Sequence, residues 1–487
     1  AADYRPLLAE HGILLDADER RETIRAQLAA AAAEVGGRPA DDPALLDEVT
    51  NLVEQPTTFL GAFDESHLAL PAPVLTTVMK KHQRYFPVLD EAGNLMPYFL
   101  GVRNGGTAHL DRVRAGNEGV VIARFADAAF FFKADTTRKL EDFLPRLDTL
   151  TFQEKLGSML DKTRRLETLA PRIGEMVGLS PAERETVARA ARLCKADLAT
   201  QMVVEFTSLQ GVMGYEYALR SGEPEAVALA IREHYLPAGA GDPLPATRPG
   251  LALSLANRLD SLAGLFAVGL APSGSADPFA LRRDALGLVQ ILLEKGIDFS
   301  VRKGLEEAAA RMPVPVTGES LDETAAFVRR RLEGLLRERG FPFDVVAAVL
   351  AERGDNPALA LAAATDLAEA VQQDWWQTTL DAYARCVRIV RPIAERHTLH
   401  PDLLREPAAR ALYRAWESVH ARLTPATPLA GLIAALRDEL VGPITTFFDE
   451  VLVMTDDETL RHNRLALLQN IRDLTAGYAD FSHLQGF

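Results

Sequence analysis

RYFPVLDEAGNLMPYFLGV, residues 84–102, reads as two apolar strands joined by EAGN, a turn whose Gly93 suits the reversal. Residues 58–63 give a further short strand candidate. Two helices precede it: residues 19–35, closed by Gly36 and Gly37, and residues 43–54. From about Asp111 the texture changes to leucine, alanine and arginine at spacings of three and four, broken at glycine and proline. The hairpin therefore splits the fold class: an α+β beginning, then a mainly α remainder. LPAGAGDPLPATRPG (236–250) and APSGSADPF (271–279) read as loops, and RMPVPVTG (311–318) as a stiff, extended boundary. The alanine-rich stretch 358–370 is a strong helix former.

At 487 residues the chain has room for about three domains, each with its own core. No run of about 18 apolar residues exists, so no segment reads as a membrane span. Cys194 and Cys386 stand alone, with neither metal nor redox spacing, which predicts a reducing, cytoplasmic setting. The opening AADYRPLL has no initiator Met and no signal-peptide layout, and so reads as a segment of a longer protein. A net charge of -15 opposes indiscriminate binding of polyanions, so any nucleic-acid contact must be local. The basic clusters are Lys80, Lys81 and Arg84; Arg282 and Arg283; Arg329, Arg330 and Arg331; and Arg385, Arg388 and Arg391. The last set, spaced i, i+3, i+6, lines one side of a helix. Each cluster taken alone reads first as a solvated helix face.

Within DPFALRRD (277–284), Asp277 is a good N-cap and Pro278 fits a first helical turn. Arg282 and Arg283 then lie near that end, either to clamp phosphate or to brace the local structure. Trp375, Trp376 and Tyr383 are able to stack nucleobases, but tandem tryptophans on a helix more often anchor packing. His397 and His400 lack the neighbours of a metal site. Nucleotide-binding and hydrolase signatures are missing: no GxxxxGK[ST], GxSxG, HExxH or post-strand GxGxxG, and no adenylating motifs of either synthetase class. An ATP-dependent reaction would place ATP on another chain.

DKTRRL (161–166), LCKADLATQMVVEFTSLQGVMG (193–214) and LANRLDSLAG (255–264) resemble, in order and spacing, the HD superfamily of helical metal phosphohydrolases. Those enzymes need a His, a His-Asp doublet and a later Asp to hold metal and activate water. Here Thr163 replaces the first His, Ala196 the doublet's His, and Asn257 falls near the last Asp. Asp197 alone survives, which predicts a scaffold without metal ligands.

MKKHQRYFPVLD, GNEGVVIARFADAAFFFKAD, KLEDFLPRLDTLTFQEKLGSM, CKADLATQMVVEFTSLQGVMG, DPFALRRDALG and FFDEVLVMTDDETLRHNRLALL, in that order, resemble the family of bacterial glycyl-tRNA synthetase β subunits across essentially the whole chain, less an N-terminal part. The resemblance implies four parts. Residues 1–150 form an α+β body like a module of the phenylalanyl-tRNA synthetase β subunit, and 151–300 an HD-like helical domain. Residues 301–372 form a helical linker and 373–487 a DALR-like, α-helical anticodon-binding domain. It further implies ATP-dependent attachment of glycine to its tRNA, with ATP and Mg at a separate or fused α subunit, no cofactor or catalytic residue in this chain, and a cytoplasmic hetero-tetramer of two α and two β.

On that reading Arg385, Arg388, Arg391, Arg461, Asn463 and Arg464 face the anticodon arm, and Lys195, Arg282 and Arg283 the acceptor-stem side. Lys80, Lys81 and Arg84 are further tRNA candidates. The competing expectations are an HD-type metal phosphohydrolase and a scaffold that docks the α subunit without touching RNA.

Overall fold

Helix formation in the first part of the chain follows its caps. Asp16 accepts from the backbone N–H groups of Asp18 and Glu19 and opens helix Ala17–Ala33 (α1). Gly36, at φ +70°, closes it in the left-handed conformation that glycine takes without a Cβ clash, and Gly37 N–H returns to the Ala32 carbonyl. Asp42 caps helix Pro43–Leu52 (α2), with Pro43 in the first turn. The computed structural model describes residues 4–239, 241–424 and 426–487, the side chains of Arg5 and His82 excepted. It divides into two compact units: residues up to 152 with 158–163 and 189–232, and residues 153–157, 164–188 and 233–487.

In the first unit, strands Arg38–Pro39 (β1), Pro56–Ala62 (β2), Phe86–Leu89 (β3) and Leu95–Asn104 (β4) form one sheet, ordered β1-β3-β4-β2 and antiparallel throughout. The expected hairpin is β3–β4. Its turn is held by Asp90, whose carboxylate accepts from Asn94 N–H, with Gly93 at φ +87°. Alternation assigns the two faces. Leu100 and Val88 pack with Ile24, Leu28, Leu45 and Val49 of α1 and α2, while on the other face Tyr85 stacks on Phe99 and Phe59 meets both edge to face. Gly101 lies opposite Phe59, and Gly61 opposite Phe99. A Cβ at either glycine would come within 2.3 Å of the tip of the facing ring, so only glycine leaves room for the aromatic that pairs with it. The 26-residue helix Leu110–Asp135 (α3) follows the sheet. Its last residue, Asp135, is buried and accepts from Gln201 N–H, Met202 N–H and the Tyr217 hydroxyl.

The second unit is helical, and its axis is helix Arg248–Ala267, buried along nearly its whole length. Arg165, from helix Met159–Met176 (α4), reaches Asp260 on that 248–267 helix (α5) in a two-point ion pair at 2.7 and 3.2 Å, and also donates to the Leu156 carbonyl. Asp260 is fully buried. Arg258 of α5 donates to the carbonyls of His234, Tyr235 and Pro237 and to Ser254, and burial pulls its pKa down. Gly287, on helix Leu281–Glu294 (α6), leaves room for that guanidinium, since a Cβ there would stand 2.7 Å from its Nε.

The start of α6 departs from expectation. Pro278 is outside the helix, because Ala280 takes the left-handed conformation at φ +56° and the helix begins only at Leu281. Asp277 still caps it from four residues upstream, accepting from Leu281 and Arg282 N–H at 2.8 and 2.9 Å. The loop before it, and the extended stretch between helices Val301–Ala309 and Gly318–Glu338, lie where the sequence puts them.

Candidate nucleic-acid interface

Helix Trp376–Val390 (α7) follows a three-four pattern in which Trp376, Leu380, Tyr383, Val387 and Val390 turn inward. They pack against helix Glu458–Arg472 (α8) and the segment after it. Trp376 and Tyr383 both meet the ring of Phe481 edge to face. The Tyr383 hydroxyl donates to the Arg472 carbonyl at 2.8 Å and lies 2.8 Å from the Thr475 hydroxyl. Burial pushes the phenol pKa up, as it does the Cys386 thiol on the same side of the helix. Trp376 and Tyr383 thus anchor packing, while half-buried Trp375 carries the Arg437 guanidinium 4.9 Å over its ring.

Next to that inward face, α7 and its C-cap carry the arginine row that the i, i+3, i+6 spacing predicts. Arg388 and Arg391 are exposed, and both guanidinium groups lie over the ring of Phe487, at 5.6 and 5.7 Å from its centre. Among the described residues neither is ion-paired with a carboxylate. Arg385 sits over Phe448 at 4.5 Å, with Asp449 3.9 Å away. Beside Arg391 and Phe487 opens a cleft of about 310 Å³, walled by Tyr383, Val387, Glu352, Asp473 and Asp480. The sequence offers no local signal for Phe487, Glu352 or Asp480, because each joins α7 through long-range packing rather than through helical spacing.

Asn463 and Arg464 lie on the buried side of α8. Asn463 is 2% exposed and holds the His400 backbone from both ends of its amide, accepting from the N–H and donating to the carbonyl. Arg464 donates to the Leu452 carbonyl and to Glu406. Half-buried Arg461 donates to the Thr455 carbonyl. His397 stacks on His462, with ring centres 4.2 Å apart.

Elsewhere, Lys195 is 3% exposed. Arg282 donates to the Gly274 carbonyl at 2.6 Å, across the 271–279 loop, and exposed Arg283 reaches the Ala238 carbonyl at 3.4 Å. In the first unit Lys80 pairs with Asp42 and Arg84 with Glu48, while Lys81 is exposed. Of the HD-like positions, Thr163 spends its hydroxyl on the Met159 carbonyl. Asp197 is fully buried, with one oxygen accepting from Gly211 and Gly214 N–H at 2.6 and 3.0 Å, and burial raises its pKa to about 6. Asn257 lies buried on α5, in the second unit. Among the described residues no three His, Cys, Asp or Glu side chains are grouped to hold a metal ion.

Residues 1–351 match the family model described as glycyl-tRNA synthetase beta subunit. The glycine–tRNA ligase beta subunit of Desulforudis audaxviator is 44% identical over 99% of this chain and 71% of its own length. That of Moorella thermoacetica is 42% identical over the same shares. The chloroplastic/mitochondrial glycine–tRNA ligase 2 of Arabidopsis thaliana is 40% identical over the whole chain, which covers 46% of that protein. The relatives' similarity therefore extends through α7 and α8, which lie beyond the family model's match.

Proposed function

Since the chain belongs to the glycyl-tRNA synthetase beta subunit family, we propose that it is the subunit that holds tRNA while glycine is attached to it. It supports glycine–tRNA ligase activity as part of a complex. ATP, Mg and the adenylate belong to an α subunit, separate or fused, and two copies of each subunit form a cytoplasmic hetero-tetramer. The parts of the chain are the α+β body to residue 150, the HD-like domain at 151–300, the helical linker at 301–372 and the DALR-like domain from 373. Among the described residues no helix is long and apolar enough to cross a membrane.

The observation that carries this reading is the row on α7. Many arginines of the protein are tied to carboxylates or backbone carbonyls; among the described residues Arg388 and Arg391 are exposed, in no ion pair and over one aromatic ring, in a row with Arg385. Guanidinium groups so placed are free to neutralise phosphates, and the acidic remainder of the chain suppresses contact elsewhere. The phosphohydrolase reading has only Asp197 to offer, and its carboxylate serves two backbone amides.

Fluorescence anisotropy of this chain with tRNA for glycine and with a non-cognate tRNA, over a salt series, tests the proposal. Cognate-selective binding with a steep salt slope is the expected result. Equal, weak binding of both would instead leave a scaffold for the α subunit.

A further inference from the structure

Arg353 is a buried arginine without a counter-charge. It ends helix Phe343–Arg353 and is 8% exposed. Its Nε donates to the Gly477 carbonyl at 2.9 Å, and its guanidinium lies 4.9 Å over the ring of Tyr478. Tyr478 is itself tethered, its hydroxyl donating to the Thr424 carbonyl. Among the described residues Arg353 is in no ion pair and its two terminal nitrogens have no hydrogen-bond partner, yet neither is shut off from solvent. A desolvated guanidinium needs acceptors, and burial pulls the Arg353 pKa down.

Arg353 lines a cavity of about 500 Å³, together with Asn356, Leu359, His420, Leu474 and Tyr478. Asn356 caps the 14-residue helix Pro357–Ala370, its side chain accepting from Leu359 N–H, so the positive end of that helix opens on the same space. Two independent sources of positive potential therefore meet at one cavity. The carboxylates of its wall are engaged elsewhere. Arg396 and Arg472 take the two oxygens of Asp473, Asp355 accepts the Arg302 N–H and the Ser300 hydroxyl, and Glu352 accepts the Gly477 N–H. A recessed cation among such carboxylates suits a compact, mobile anion rather than an extended polyanion, which would bring many charges against them.

We propose that this cavity binds one small oxyanion, a phosphate or a carboxylate, through the terminal nitrogens of Arg353 and the first turn of helix 357–370. The inference does not depend on the tRNA-holding reading.

The test is thermal melting of the 487-residue chain in inorganic phosphate and in acetate, each against sodium chloride of equal ionic strength. At about 20 mM of the preferred anion the unaltered chain is expected to gain about 2 °C more than Arg353→Met, in which methionine keeps an apolar stem without the charge. The difference cancels the general stabilisation that phosphate gives by exclusion from protein surfaces. A gain in phosphate alone identifies a phosphate ligand, and a gain in acetate a carboxylate. Thr424→Asp sets a negative charge at an exposed position of the wall while keeping the backbone carbonyl for Tyr478, and it too should lose the gain, which tests the site even if Arg353→Met fails to fold. Equal gains in the unaltered chain and Thr424→Asp, or no gain from either anion, overturn the site. So does a loss of tRNA affinity in folded Arg353→Met, which would make the arginine an RNA contact.

Discussion

Arginines on α4 and α5 and those on α7 are the same residue under opposite constraints. Arg165 and Arg258 are buried, and each is surrounded: one by the Asp260 carboxylate and the Leu156 carbonyl, the other by a ring of carbonyls and Ser254. Arg388 and Arg391 are exposed, lie over an aromatic ring and, among the described residues, are in no ion pair. A buried guanidinium persists where acceptors replace most of its water, and one so enclosed is out of a ligand's reach. An exposed one on a ring gains little for the fold and keeps every donor for a phosphate. Charge alone therefore does not identify an interface in this molecule. What distinguishes the two regions is whether the chain itself satisfies the charge.

The sharpest way to break that contrast is to remove one partner of the buried pair. Asp260→Ala removes the carboxylate that Arg165 grips in the core, and urea unfolding should show a loss of about 3–5 kcal/mol. A loss under 1 kcal/mol would mean that water or another acceptor reaches Arg165. On the other side, Arg388→Glu/Arg391→Glu should leave stability within about 0.5 kcal/mol, as for exposed sites. The same variant should lower tRNA affinity at least tenfold and reduce the slope of log affinity against log salt by about 1.5. Intact affinity and slope would take those arginines out of the interface.

Local signals in this chain read well, and signals that need a partner do not. The β3–β4 hairpin, α1 with its glycine stop and the row Arg385, Arg388, Arg391 are all set by neighbours within a few residues, and the structure places each where periodicity does. The beginning of α6 misleads, because Asp277 and Pro278 match an N-terminus while Ala280 takes a left-handed turn that moves the helix on by three residues. In LANRLDSLAG, attention to Asn257 as a substituted ligand passes over Asp260, one turn further on, which is the residue Arg165 grips. Its partner lies 95 residues away, so nothing local marks it. Asn463, expected at the interface, and Phe487, which carries no local signal, follow the same rule: contacts across the fold bury the first and bring the second under two arginines.

Asp197 tests the buried half of the comparison through pH. Burial is the main cause that raises its folded pKa to about 6 from a reference of 3.8, opposed by the Gly211 and Gly214 amides and by Lys195. Between those values the folded chain holds a proton that the unfolded chain has lost, so stability falls as pH rises through that window and levels off above it. Moving from pH 5 to pH 7 should cost the unaltered protein about 1 kcal/mol more than Asp197→Asn, measured by urea unfolding at both pH values. Parallel pH profiles would show that the two amides and Lys195 keep the carboxylate charged throughout.

Arg282 lies between the two classes and carries the smallest expected effect. It is half-buried, and one of its nitrogens donates to the Gly274 carbonyl across the 271–279 loop, while among the described residues its guanidinium forms no ion pair. If that bond braces the loop, Arg282→Ala costs about 0.5–1.5 kcal/mol, the worth of one hydrogen bond, and tRNA affinity does not move. If the guanidinium instead serves a phosphate, affinity falls, the salt slope drops by about 0.8, and the melting temperature holds. Arg282→Lys adds a second discrimination: it keeps a charge for a phosphate but loses the fixed, planar geometry that spans the loop to Gly274. Stability lost in both substitutions, with tRNA binding unchanged, places Arg282 with Arg165 and Arg258. Binding lost in the alanine variant and restored by lysine places it with Arg388 and Arg391.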